Sequence, residues 1–311
     1  MNIVFMGTPD FAVPTLQLLI DQKYTIQAVV TQPDKPKGRG KKEAMPPVKE
    51  LALKYNIPVL QPTRIKGDEV FYNHLQALNP DLIVVVAFGQ ILPESILHIP
   101  RLGCINIHGS LLPKLRGAAP IQWAIINQHP VTGVTIMYMD KGMDTGAMLL
   151  KKEISIEPDE TYYTLHEKMK EIGAKTLLEA MPYIEAGGLS REKQKDEEAT
   201  YASMINKELG HIQWNKTAKE IDALIRGLNP WPVAFTYYQG EVMKIWKARV
   251  CDEIEEGIPG TILEVSKDGI LMQTGKGIVL IEEIQFSSKK RMHVSEYIKG
   301  NKIEPNERLG I

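Results

Sequence analysis

Cysteine is scarce: Cys104 and Cys251 are the only two among 311 residues. A disulfide framework is therefore excluded, and no C-x-x-C pair or histidine cluster suggests a zinc site. This usage fits a reducing compartment. Excess charge of one sign is also missing, since 37 Lys and Arg stand against 38 Asp and Glu for a net charge of −1. A partner rich in phosphate must then be met by a local patch. Long hydrophobic runs are absent too. The longest stretch without acid or base, Gly117 to Met139, is broken by Pro120, His129 and Pro130, whereas a membrane span needs about 20 predominantly apolar residues. The opening MNIVFMGTPDF has no basic n-region and reaches Asp10 before an apolar run of signal-peptide length. A soluble, cytoplasmic protein is expected.

Two common chemistries lack their motifs. The chain reads GTPDFAVP after its first apolar run, neither G-x-G-x-x-G nor a Walker A motif, so no dinucleotide or nucleoside triphosphate cofactor is expected. No G-x-S-x-G elbow supports a serine hydrolase, and no internal repeat is found.

What is present is a globular composition, 43% hydrophobic and 24% charged, in a chain long enough for two domains of roughly 100–200 residues. Strand signals at Asn2–Met6, Ile26–Thr31, Leu82–Phe88, Gly103–His108 and Val134–Met139 alternate with helical spacing at Phe11–Ile20, Pro47–Tyr55, Asp68–Leu78 and Glu160–Ala186. Strands apolar on both faces, alternating with helices, predict an α/β fold with a doubly wound, mostly parallel, Rossmann-like sheet. The polar stretch Gly187–Thr200 reads as a linker. Beyond it an amphipathic helix, Lys216–Leu228, precedes short glycine-punctuated strand runs at Ala234–Tyr238, Val242–Val250, Gly260–Val265, Gly269–Thr274 and Ile278–Phe286. These predict a small β-barrel. The expected boundaries are a catalytic domain over 1–188, a linker over 189–205 and a C-terminal domain over 206–311. Trp123 and Trp231, in apolar contexts with proline, are expected in the core.

In an open parallel sheet, ligands sit beyond the carboxyl ends of the strands. Asn106 and His108, two apart on a strand, share a face there. An amide donor beside an imidazole can stabilise an oxyanion and move a proton. Taken alone, the pair is more simply an amide tying down a loop beside a satisfied histidine at a strand end. The segment DKGMDTG follows the later strand, and its Asp144 either orients His108 or is an ordinary turn residue. Ser110 reads as a binding residue. The segment QPDKPKGRGKK carries Lys35, Lys37, Arg39, Lys41 and Lys42 against the single acid Asp34. With two prolines and two glycines it reads as a flexible basic loop, neither helix nor strand, able to hold phosphates or simply solvated.

The run NIHGSLLPKLRGAAPIQ (Asn106 to Gln122) resembles the signature of the folate-dependent formyltransferases. MGTPDFAVPTL, QPDKPKGRGKK, DKGMDTG and WNKTAKEIDALIRGLNPWPVAF extend the resemblance over the whole chain. It implies transfer of the formyl group of 10-formyltetrahydrofolate, a co-substrate, to the α-amine of initiator methionyl-tRNA, with no metal. It assigns catalysis to Asn106, His108 and Asp144. It places the folate against Ser110, Leu111, Leu112 and Pro113 and the Phe88, Gly89, Gln90 and Leu92 segment. It makes the C-terminal barrel one of oligonucleotide-binding type, contacting tRNA together with the basic segment. A monomer without membrane contact is expected. The alternatives are a formyltransferase acting on a nucleotide sugar or glycinamide ribonucleotide, a folate hydrolase on the same core, and a non-catalytic tRNA-binding module.

Overall fold

A computed structural model describes residues 1–37, 42–187, 190–252 and 257–310. The chain divides into two units. One comprises Met1–Gly117, Thr132–Ile154 and His166–Tyr201, the other Ala118–Val131, Ser155–Leu165 and Ala202–Ile311. No helix among the described residues is long and apolar enough to cross a membrane.

In chain order the elements begin with β1 (Asn2–Gly7), α1 (Val13–Asp21), β2 (Thr25–Val30), β3 (Lys35–Lys37), β4 (Lys42–Ala44), α2 (Pro47–Lys54) and β5 (Val59–Leu60). They continue with α3 (Glu69–Leu78), β6 (Leu82–Val86), α4 (Glu94–Leu97), β7 (Cys104–His108), β8 (Arg116–Gly117) and α5 (Pro120–Ile126). Then come β9 (Val131–Tyr138), β10 (Met148–Ser155), α6 (Tyr162–Ala186) and β11 (Tyr201–Ala202). The main sheet of the first unit has the order β10-β9-β7-β6-β1-β2-β5. Its pairs β2–β5, β1–β2, β1–β6 and β6–β7 are parallel. All five residues of β6, LIVVV, are buried, as helices on both faces of a parallel sheet require. The strand stops before Phe88 because Ala87 and Gly89 turn into the left-handed region, φ +46° and +86°. Strand order reverses between β1 and β6, which opens a crevice beyond their carboxyl ends. There the Thr8 hydroxyl donates to the Phe88 carbonyl at 3.0 Å.

Two readings of this unit are corrected. The basic segment does contain strand: Lys35–Lys37 pairs antiparallel with Lys42–Ala44. A two-stranded ribbon has open outer edges, so a residue such as Pro36 needs no donor on that side. The stretch read as a linker is in part packed structure. Glu192 exchanges two backbone hydrogen bonds with Met148, and Gln194 is buried.

The second unit adds α7 (Ala218–Gly227), β12 (Ala234–Tyr238), β13 (Glu241–Asp252), β14 (Ile262–Ser266), β15 (Gly269–Gln273), β16 (Ile278–Phe286), β17 (Met292–His293) and α8 (Val294–Tyr297). The sheet order is β12-β13-β16-β15-β14, with β17 on β16 and every pair antiparallel. Three register shifts between β13 and β16 bend the sheet around a core that includes Trp214, Ile245, Ile281 and Ile225. Residues 306–310 bridge the outer strands. The Asn306 N–H donates to the Ile262 carbonyl, the Ile262 N–H to the Glu307 carbonyl, and the Gly310 N–H to the Tyr237 carbonyl. Trp231 is not core: it is 52% exposed, flanked by prolines outside the sheet. Trp123 is partly buried, its indole N–H donating to the Ser203 carbonyl.

α7 starts with a capping box, Thr217 and Glu220 each accepting from the other's backbone N–H. Hydrogen bonds from the Thr217 backbone and hydroxyl hold the Glu220 carboxyl below its ordinary 4.5. A folded-state value below the unfolded one contributes stability in full above pH 4.5 and loses it as pH falls through the folded value. Thr217→Ala is therefore expected to cost about 1 kcal/mol at neutral pH, read by urea unfolding of the intact chain. The gap between variant and wild type should narrow below pH 4.5.

Candidate active site

β7 sends Cys104, Asn106 and His108 to one face of the sheet and Ile105 and Ile107 to the other. His108 is 5% exposed, and its Nε2 lies 2.9 Å from the Leu115 carbonyl oxygen. A carbonyl only accepts, so Nε2 carries a proton and Nδ1 is the nitrogen left for chemistry. Nδ1 faces Asp144, with Oδ2 at 3.6 Å. That same oxygen accepts a 2.8 Å hydrogen bond from the Gly117 backbone N–H. The half-buried Asn106 amide has no hydrogen-bond partner among the described residues, so its donors remain available.

Asp144 reaches this place by a route the sequence does not suggest. β9 runs antiparallel to β7, pairing Tyr138 with Ile105 and Thr135 with His108. Its carboxyl end therefore lies about 10 Å along the sheet from His108, not at the same edge. The following loop must turn back. Asp140 winds it up, accepting from the Gly142 N–H at 2.9 Å and the Thr145 hydroxyl at 2.6 Å. Gly146 packs so closely on β9 that a Cβ there would lie 1.9 Å from the Tyr138 oxygen. Asp144 itself takes φ +56°.

The segment after β7 is held over β9. Thr135 donates to the Ser110 carbonyl and accepts from the Leu112 N–H. Ser110 is buried, with its hydroxyl committed to the Lys114 carbonyl at 2.5 Å. Leu112 and Pro113 are buried and Leu111 half-buried. In the other segment assigned to folate, Phe88 and Leu92 are core residues. Gly89 is exposed, and the Gln90 amide oxygen accepts from the Ile65 N–H at 2.9 Å.

Among the basic residues, Lys35 is exposed, and Lys37 and Lys42 are placed by backbone pairing only. Arg39 and Lys41 lie outside the described residues. At the base of the ribbon Asp34 accepts from Gln61 and from Lys49, which hold its carboxyl below the usual range. The segment's acid is thus already paired. Cations elsewhere are shared with acids: Lys247 and Arg249 both hold Glu282, and Arg291 pairs with Glu283 while lying 4.8 Å over the Trp246 ring.

The family model for formyl transferase matches residues 1–181, and that for its C-terminal domain residues 204–302. The methionyl-tRNA formyltransferase of Clostridioides difficile is 58% identical over 310 residues, covering 100% of both chains. That of Acetivibrio thermocellus is 56% identical over 311 residues, again covering 100% of both. The chain belongs to the formyl transferase family. Its fold also matches a crystal structure of an N-formyltransferase from Helicobacter canadensis in complex with folinic acid and dTDP-3-aminofucose. That match has a TM-score of 0.68 and 20% identity, over 90% of this chain and 98% of the other.

In this formyl transferase a cavity of about 630 Å³ opens beside the amino end of β7. Leu97, Cys104 and Met139 line it and belong to the same apolar cluster as Phe88 and Leu92, which support it from behind. Its charged residues are mixed: Arg101 (paired with Asp81), Lys141 and Arg191 stand with Glu94 and Asp140, and the Arg191 guanidinium lies 4.2 Å over the Tyr138 ring. Sequence reasoning missed this cavity, because its residues come from four separate segments without a motif. Burial pushes the Cys104 thiol up to about 12, whereas Cys251 is exposed. A maleimide at pH 8 should therefore modify Cys251 alone in the native protein and both cysteines after unfolding, as counted by mass spectrometry.

Proposed function

We propose that this formyl transferase moves the formyl group of 10-formyltetrahydrofolate to the α-amine of initiator methionyl-tRNA, giving N-formylmethionyl-tRNA for translation initiation. The meeting of Asn106, His108 and Asp144 carries the reading, in a chain matched end to end by methionyl-tRNA formyltransferases at 58% and 56% identity. The structural neighbour that binds an amino sugar nucleotide shares only the fold.

The free amine attacks the formyl carbon, forming a C–N bond and a tetrahedral oxyanion. Asn106, whose amide donors are not engaged elsewhere among the described residues, donates to that oxygen as charge develops. His108 Nδ1 and Asp144 Oδ2 flank the narrow gap through which the amine proton leaves. A proton taken up at Nδ1 makes an imidazolium that the Leu115 carbonyl and the Asp144 carboxylate both stabilise. The C–N10 bond then breaks and N10 receives the proton, releasing tetrahydrofolate. No metal is required by this scheme.

The donor belongs at the carboxyl end of β7, beside Asn106 and His108; the cavity at that strand's amino end is lined by none of the residues assigned to the folate. Ser110, Leu111, Leu112 and Pro113 then close over the donor from one side. The Phe88, Gly89, Gln90 and Leu92 segment borders it on the other. Lys35, Lys37, Arg39, Lys41 and Lys42 hold phosphates of the tRNA, and the C-terminal sheet domain shares that binding. The enzyme acts as a cytoplasmic monomer.

Formyl transfer from labelled donor to charged initiator tRNA, with a nucleotide amino sugar and glycinamide ribonucleotide as competing acceptors, tests the assignment. Transfer to either competitor in preference to tRNA would refute it. His108→Ala should lower kcat by about 10²–10⁴-fold and Asn106→Ala by about 10²–10³-fold, both with donor binding retained in equilibrium titration. Replacing Arg39, Lys41 and Lys42 together by Ala should raise KM for tRNA and flatten its salt dependence, leaving KM for the folate unchanged. A merely solvated segment would show wild-type kinetics.

A further inference from the structure

Gln194 is 4% exposed, and its side chain is fully engaged. Its Nε2 donates to the Asp144 carbonyl at 2.7 Å and to the Gly146 carbonyl at 2.9 Å. Its Oε1 accepts from Arg116 Nε at 2.9 Å. The amide orientation is fixed by chemistry, since a guanidinium can only donate and carbonyls can only accept. Both amide hydrogens go to carbonyls on either side of Thr145, inside the loop that presents Asp144 to His108.

Arg116 ties this contact to the rest of the unit. It is 2% exposed, and its second contact is to Asp196 at 2.9 Å. Its backbone N–H donates to the Thr200 carbonyl. The next residue, Gly117, supplies the N–H that holds the Asp144 carboxylate. One short segment therefore fixes Asp144 twice: its backbone through Gln194, its side chain through Gly117. Such fixing is needed because a left-handed backbone at a non-glycine residue persists only where its surroundings hold it.

We propose that Gln194, held by buried Arg116, is a positioning residue for the formyl transfer: it fixes the backbone of Asp144 and so the gap between Asp144 and His108. The proposal rests on the catalytic reading of those two residues. It gives a role to a stretch whose sequence looks like a linker and which approaches neither reacting group with its own side chain.

Gln194→Glu tests it, because glutamate keeps the length and the partner for Arg116 but offers the loop carbonyls no donor. We expect kcat to fall by about 10–100-fold, the scale of a small misplacement of a reacting group, with KM for folate and for tRNA within about two-fold. In an Asp144→Asn background the same change should cost no more than about two-fold, since coupled positions are not additive. Gln194→Met, similar in length and without charge, repeats the cycle should the glutamate variant not fold. An unchanged kcat in a folded variant, or an equal loss in both backgrounds, overturns the proposal. Wild-type turnover in Asp144→Asn alone overturns instead the catalytic reading beneath it.

Discussion

Asp144 stands at His108, yet the strand that precedes it runs away from His108. Most of the unusual features of the first unit answer that constraint. The loop after β9 is wound by Asp140 and pressed onto β9 at Gly146, where a Cβ would not fit. It then turns through a left-handed aspartate before its carboxylate meets the Gly117 amide. Gln194 and Arg116 fill the space behind that turn with hydrogen bonds where apolar packing would leave loop carbonyls without donors. An antiparallel strand inside a parallel sheet is thus what makes buried polar scaffolding necessary.

Charge is used locally throughout the chain. A molecule with a net charge of −1 has little long-range pull on RNA. Where the chain is densely basic, the carboxylate of Asp34 is occupied by Lys49 and Gln61. The sheet of the second unit is arranged differently, its cations shared with Glu282 and Glu283. Burial alone would raise the Glu282 carboxyl, but Lys247 and Arg249 outweigh it and hold the group ionised.

The parallel core was legible because β6 and β7 are apolar in a pattern that only a doubly covered sheet explains, and α7 because its face and cap are both written in sequence. Asn106, His108 and Asp144 could be named, but their convergence could not, since spacing does not reveal that β9 is antiparallel. β10 was missed because MLLKKEIS, with the charged run Lys151, Lys152 and Glu153 at its centre, lacks the apolar alternation of a strand. α5 was missed because PIQWAII sits in a charge-free run with no polar face to mark a helix. Trp231 was misread because a tryptophan among prolines looks like core, while the proline-rich turn holds it away from the sheet. Gln194 left no local signal at all, since its partners are about fifty and eighty residues away in the chain.

The bridge made by residues 306–310 also bears on how the second unit behaves among other molecules. β12 and β14 are the outer strands of its sheet, and an uncovered outer strand presents a row of free amides and carbonyls to any chain that drifts by. By bonding to Tyr237 on one side and to Gly260 and Ile262 on the other, this short strip occupies both rims at once. The bonded positions on both outer strands are thereby closed to self-association and fibre growth.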